Sequence, residues 1–263
     1  MIANARMYSV APAAVEAWRR LFEWVSKESG FPLEIVEHAY PASLDDLWRR
    51  EDLAAVSMCG LPFARDRRAL VAIAAPIPAA ARYGGRPVYF TDFVVRTDSP
   101  FRALTETFGH RIAYTTPGSH SGYNAARHHL LRYRKPERRR LYAEAVGPVV
   151  TPRRAVEAVA AGNAEVAPID SYALDLLRLY DPALARSVRT VESTAAAPIP
   201  PLIASAGVER NQASRLRQAL TRAPAHLLER LTLSGFAEVD VARYAVLVAL
   251  ETEAVSGGYP ALE

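Results

Sequence analysis

The stretch RPVYFTDFVVRTD (86–98) decides the fold. It is rich in aromatic and β-branched residues and reads as strand. At thirteen residues it is longer than one sheet needs, because strands usually run about 5–6 residues. Upstream lies one α/β unit. Residues 13–29 have helical spacing, with Val15, Trp18, Phe22 and Val25 on one face and Gly30 at the stop position. FPLEIVEHA (31–39) alternates as a strand, and SLDDLWRR (43–50) reads as a short helix capped by Ser43. LAAVSM (53–58) and ALVAIAA (69–75) are continuous apolar runs, as strands buried on both faces would be.

Downstream the alternation repeats. A helix is expected near 99–108, a strand at 110–115, helices from 121 and at 152–161, a strand at 164–169 and a helix at 171–180. SVRTVES (187–193) reads as strand, PIPPLIAS (198–205) comes next, and helices are expected at 209–222, 224–232 and 239–254. The basic run RYRKPERRR (132–140) reads as a solvated helix–loop–helix face. The expectation is an α/β chain of two lobes, each a mostly parallel sheet flanked by helices. The chain crosses at about 90–97 and returns at about 187–200, two crossing strands serving as a hinge. Lobe 1 is then 1–92 plus 195–263, and lobe 2 is 93–194. In such sheets ligands sit beyond the carboxyl ends of the strands, here in a crevice that hinge closure would seal.

Bulk properties narrow the function. Half the residues are apolar and 23% charged, an ordinary globular balance. The net charge of +4, carried almost wholly by arginine (only Lys27 and Lys135 are lysines), suits an acidic small ligand and not nucleic acid. A single cysteine, Cys59, leaves no internal disulfide and no cysteine-based zinc site. The His128–His129 pair points about 100° apart on a helix, so no metal is expected. No stretch reaches the roughly 18–20 apolar residues of a membrane span, so no membrane insertion is expected. MIANARMYSVAPAAVEAW has no leader pattern. The chain is expected to be periplasmic if a leader was removed and cytoplasmic otherwise.

Four loops follow strands on the expected ligand edge: 7–12, 57–64, 115–123 and 168–172. In TTPGSHSGY, Ser119, His120 and Ser121 offer side-chain donors at a helix start, and Gly122 admits close backbone approach. The same composition also describes a plain capped turn. Asp170 is equally a helix cap and a carboxylate for a ligand amine or hydroxyl, with Tyr172 in reach of the same place. Cys59 lacks the neighbouring base that a thiolate nucleophile needs, so it is expected to pack or to line the site. Tyr8 either lines the site or closes the core edge.

TTPGSHSGYNAARHHL (115–130), AVEAVAAGNAEVAPIDSYALDLL (155–177) and APIPPLIAS (197–205) resemble, in order, the anion loop, the Asp-Ser segment and the return crossing of the phosphate/phosphonate-type ABC-transporter substrate-binding proteins, which have the two-lobed type II periplasmic-binding-protein fold. The resemblance implies a binding protein for a small anionic ligand, with an ABC permease as partner, no cofactor and no catalytic residue. Carried over by position, it implies ligand contacts from Ser119, His120, Ser121, Gly122 and Tyr123, and from Asp170, Ser171 and Tyr172. From lobe 1 it implies Tyr8, Cys59 and Gly60 within the 59–63 loop. The family usually has Ser or Thr where this chain has His120, and often a histidine before the helix near Thr151, where this chain reads VVTPRR. Those departures widen the ligand class to carboxylates. The rival readings are a cytoplasmic ligand sensor and a small-molecule lyase or dehydratase on the same fold, the latter requiring an acid–base pair such as His120 with Asp170.

Overall fold

The computed structural model describes residues 1–262, which form two compact units. The first comprises Met1–Tyr89 and Pro198–Tyr244, the second Phe90–Ala197 and the segment from Ala245 onward.

The first unit is built on a six-stranded sheet. Its centre is Leu53–Ser57, buried throughout, which pairs in parallel with Ile2–Asn4 and antiparallel with Leu202–Ala204. Leu202–Ala204, returning from the second unit, lies antiparallel between Leu53–Ser57 and Val71–Pro78. Leu233–Ala237 closes one edge against Val71–Pro78. The helix Pro12–Ser29 covers the sheet with Ala14, Trp18, Leu21, Phe22 and Val25 and stops at Gly30 in the left-handed conformation. Val15, expected on that face, is 43% exposed; the buried stripe runs through Leu21 instead.

The second unit is a five-stranded sheet in which Arg111–Ala113, Glu144–Val146 and Val166–Asp170 run parallel. Thr91–Arg96 is inserted antiparallel between Val166–Asp170 and Val188–Ser193. Residues 86–98 thus hold two strands, Val88–Tyr89 in the first unit and Thr91–Arg96 in the second. Each unit receives one reversed strand from the chain's crossing, and each sheet otherwise runs mostly one way.

Several expectations are corrected. The segment 31–39 keeps only Glu34–Ile35 as strand, because its partner Ile2–Asn4 is three residues long. The region 99–108 holds a single 3-10 turn, Leu104–Thr107. After the turn Leu131–Tyr133 the basic run is an exposed loop with one bridge between Lys135 and Arg138, not a helix pair. The helices Gly60–Arg65 and Pro182–Arg186 and the strands Glu144–Val146 and Leu233–Ala237 escaped the sequence reading.

The division of the chain also differs at its end. The helix Ala245–Ser256 and the residues after it pack in the second unit, not with lobe 1. Tyr259 and Leu262 lie in the same core as Phe93, Ile112, Leu130 and Val166. The buried guanidinium of Arg127 adds polar ties, donating to Pro260 O at 2.6 Å and approaching Glu251 Oε1 at 3.5 Å.

Candidate functional site

In the second unit, the strands Arg111–Ala113 and Val166–Asp170 are parallel neighbours, so residues 114–122 and Asp170 share one sheet edge. Thr91 lies directly opposite Asp170 in the antiparallel pair, and Ser193 opposite Asp92. This carboxyl edge is where ligands of open α/β sheets bind.

The loop enters its helix through a wide turn. Asn124 N donates to Ser119 O at 3.0 Å, and Ala125 N to His120 O, so His120–Asn124 is a π turn before the α-helix Ala125–Leu130. Such turns are rare and frequent at functional sites. Ser119 is the cap: its Oγ accepts from Gly122 N at 3.0 Å, leaving its own O–H proton to donate elsewhere. Ser121 is held from below by Thr91, whose hydroxyl donates to Ser121 O at 3.1 Å. The loop folds back on Thr115 so closely that a Cβ at Gly122 would stand 2.0 Å from Thr115 Oγ1. Thr115 Oγ1 is buried without a hydrogen-bond partner among the described residues.

His120 is buried, and a relay sets its tautomer. Arg127, a donor only, reaches Asn124 Oδ1 at 3.0 Å, which leaves Asn124 Nδ2 to donate to Leu247 O and to His120 Nδ1, each at 3.3 Å. Nδ1 is therefore an acceptor, and Nε2 carries the proton. Burial holds the imidazole neutral, its pKa pushed down to about 3, with nearby His128 adding a little. His120 is a neutral donor, not a cation.

Asp170 is buried and caps the helix Ser171–Tyr180: its Oδ1 accepts from Tyr172 N at 2.9 Å and Ala173 N at 3.0 Å. Burial raises its pKa to about 7 against those two bonds, with Asp175 and Asp92 pushing the same way. The capping reading and the carboxylate reading thus meet in one side chain. Ser171 Oγ accepts from Phe90 N at 2.9 Å, and Ser171 N donates to Phe90 O, which ties the helix start to the crossing strand. Tyr172 is fully buried. Tyr123 is half-buried, its ring 5.1 Å from that of Tyr114 and 4.8 Å beneath the Arg127 guanidinium.

Sequence reasoning missed Thr91, Asp92, Thr115 and Asn124 at this edge. Asp92 is wholly buried and accepts from Ser193 Oγ at 2.6 Å. The only signal for Thr91 and Asp92 was their place inside the crossing strand.

In the first unit, Ile2–Asn4 and Leu53–Ser57 run parallel, so residues 5–10 and 58–60 share its carboxyl edge. Tyr8, Cys59 and Gly60 all lie there and are buried. Tyr8 is part of the turn Arg6–Tyr8 and stacks on Trp18 at 6.2 Å. Cys59 precedes the helix Gly60–Arg65 as a free thiol. Sequence reading passed over Arg6 on this edge. Its side chain is 94% buried, and its Nε and Nη2 have no hydrogen-bond partner among the described residues.

The two adjacent histidines serve separate ion pairs, His128 with Glu253 at 2.8 Å and His129 with Glu192 at 2.5 Å. Among the described residues no group of three His, Cys, Asp or Glu could hold a metal, and no helix is long and apolar enough to cross a membrane.

Solved structures share the fold across nearly the whole chain. A binding component of an ABC phosphonate transporter from Pseudomonas aeruginosa aligns with a TM-score of 0.70 at 17% identity, over 97% of this chain and 96% of that one. PhnD1 from Prochlorococcus marinus, in complex with methylphosphonate, aligns at 0.78 and 12% identity, over 96% and 97%. MatC from Rhodopseudomonas palustris, with bound malate, aligns at 0.61 and 16% identity, over 100% and 98%. These show the two-lobed periplasmic-binding-protein type of fold. No curated protein matches the sequence. The family model described as "ABC transporter, phosphonate, periplasmic substrate-binding protein" matches residues 9–244, and the chain belongs to that family.

Proposed function

We propose that the chain binds a small oxyanion, phosphonate, phosphate or carboxylate, at residues 119–122, delivers it to an ABC permease from the periplasm, and performs no chemistry on it. The observation that carries this reading is the helix start at His120. Its first-turn amides, the free O–H protons of Ser119 and Ser121, and a neutral His120 assemble donors at the carboxyl edge of a sheet. Each hydrogen bond to an anion contributes roughly 1.5–3 kcal/mol, so three or four offset the loss of its hydration. Asp170, its carboxyl held to about 7, is largely relieved of the charge that would repel an anion. Malate in MatC and methylphosphonate in PhnD1 support both ligand classes for the fold.

The test is thermal unfolding of wild type and the Ser119→Ala/Ser121→Ala variant with phosphate, methylphosphonate, malate and adipate. At 100 times its Kd a ligand adds about 2.7 kcal/mol, a rise of several degrees. Wild type is expected to rise with at least one oxyanion and the variant not to. Equal shifts in both proteins contradict the reading.

A further inference from the structure

We propose that Arg6, on the carboxyl edge of the first unit, is an anion-binding group that takes an oxyanion of the ligand in paired hydrogen bonds. The inference rests on the small-anion reading above and adds to it a charged contact from the unit that lacks the serine loop.

A guanidinium that leaves water must find partners, since burying an unpaired charge costs several kcal/mol even after relaxation. Arg6 breaks that rule. Its backbone is well anchored: Arg6 N donates to Asn4 Oδ1 at 2.7 Å, Asn4 Nδ2 reaches Val36 O at 2.7 Å, and Ser9 N closes the turn on Arg6 O at 3.2 Å. The side chain is not matched in the same way. Nε and Nη2 are buried without acceptors among the described residues. Burial alone lowers its pKa, with no carboxylate acting on it. Even so, a guanidinium stays charged at any working pH.

Position gives the cost a purpose. Arg6 stands two residues beyond Ile2–Asn4, on the sheet edge where ligands of such folds bind. A second donor with no partner among the described residues belongs to the same unit: Trp18 Nε1, buried in the helix Pro12–Ser29, its indole stacked on Tyr8 at 6.2 Å and 17°. Both groups donate and neither accepts, so what completes them is an acceptor. The planar fork of arginine matches a carboxylate or phosphonate through two parallel N–H···O bonds.

The test compares Arg6→Met and Arg6→Lys with wild type and with Ser119→Ala/Ser121→Ala. Unfolding is followed in chloride at fixed ionic strength, then with inorganic phosphate, methylphosphonate and malate. R6M is expected to unfold at or above the wild-type temperature in chloride, since it loses an uncompensated buried charge. Its affinity for the probe that wild type binds should fall at least about tenfold, with R6K recovering part of the loss. A purely structural arginine gives the opposite stability result. An R6M chain that fails to fold, or unfolds well below wild type in chloride, overturns the proposal. R6M binding as wild type does while the serine variant fails overturns Arg6 alone and leaves the anion reading standing. If no probe shifts wild type, both fall.

Discussion

Gly122→Ala is expected to destabilise the protein by about 1–3 kcal/mol and to abolish oxyanion binding, because the loop has no room for a methyl group. The added Cβ would stand 2.0 Å from Thr115 Oγ1 and 2.9 Å from Thr115 Cβ and Cγ2. These atoms belong to a residue whose backbone is fixed on both sides: Thr115 N donates to Gly122 O at 3.3 Å, and Val150 N donates to Thr115 O at 2.9 Å. Relief must therefore come from the loop, which opens the π turn and moves Ser119 and Ser121. Urea denaturation and titration with phosphate or methylphosphonate read the two effects. Thr115→Ala in the Gly122→Ala background should recover part of the stability by removing Oγ1 and Cγ2. A G122A protein with wild-type stability and affinity would show that the close approach is not real.

Acid titration should reveal two opposing groups in the same unit. Asp170 has its pKa raised from 3.8 to about 7, so the folded chain holds a proton there that the unfolded chain has released. Its contribution is present below about 4 and lost as the pH rises towards 7. His120 has its pKa lowered from 6.5 to about 3, so the folded chain lacks a proton that the unfolded chain binds. Its contribution is present above 6.5 and lost as the pH falls towards 3. Each slope is at most about 1.4 kcal/mol per pH unit, and between about 4.5 and 6 they cancel. Asp170→Asn keeps an acceptor for Tyr172 N and Ala173 N and removes the charge. Relative to wild type its stability should rise with pH between 4 and 7. His120→Asn should show the reverse, gaining on wild type as the pH falls from 6.5. Urea unfolding of the three proteins from pH 4 to 7.5 measures both. Variants whose stability runs parallel to wild type would contradict the account.

Much of the fold is legible in the residues alone. The helix Ser171–Tyr180 matches its expected bounds because Asp170 announces the start, and Asp170 is indeed the cap. The buried strands Leu53–Ser57 and Val71–Pro78 show as unbroken apolar runs. The loop at 115–123 shows as hydroxyls and glycine ahead of a helical pattern, and its place at a sheet edge comes from strand order. The hidden parts depend on tertiary contacts. Ala245–Ser256 is apolar nearly all round, so no face tells which unit it serves; Arg127 and the core around Tyr259 decide that. Leu233–Ala237 contains Ser234 and Gly235 and is strand only because Val71–Pro78 offers an edge. In a chain whose cations are nearly all arginine, Arg6 does not stand out. Its burial, not its identity, singles it out. The same holds for Thr91, an ordinary strand residue until its hydroxyl is seen holding Ser121 O.

The central claim, that residues 119–122 hold the anion, is most directly tested by following backbone amide signals as methylphosphonate, phosphate or malate is added to the wild-type protein. The account predicts saturable shifts of His120, Ser121 and Gly122 amides, with His120 remaining the neutral Nε2–H tautomer throughout. Saturable shifts confined to other residues, with these three amides unmoved, would contradict it.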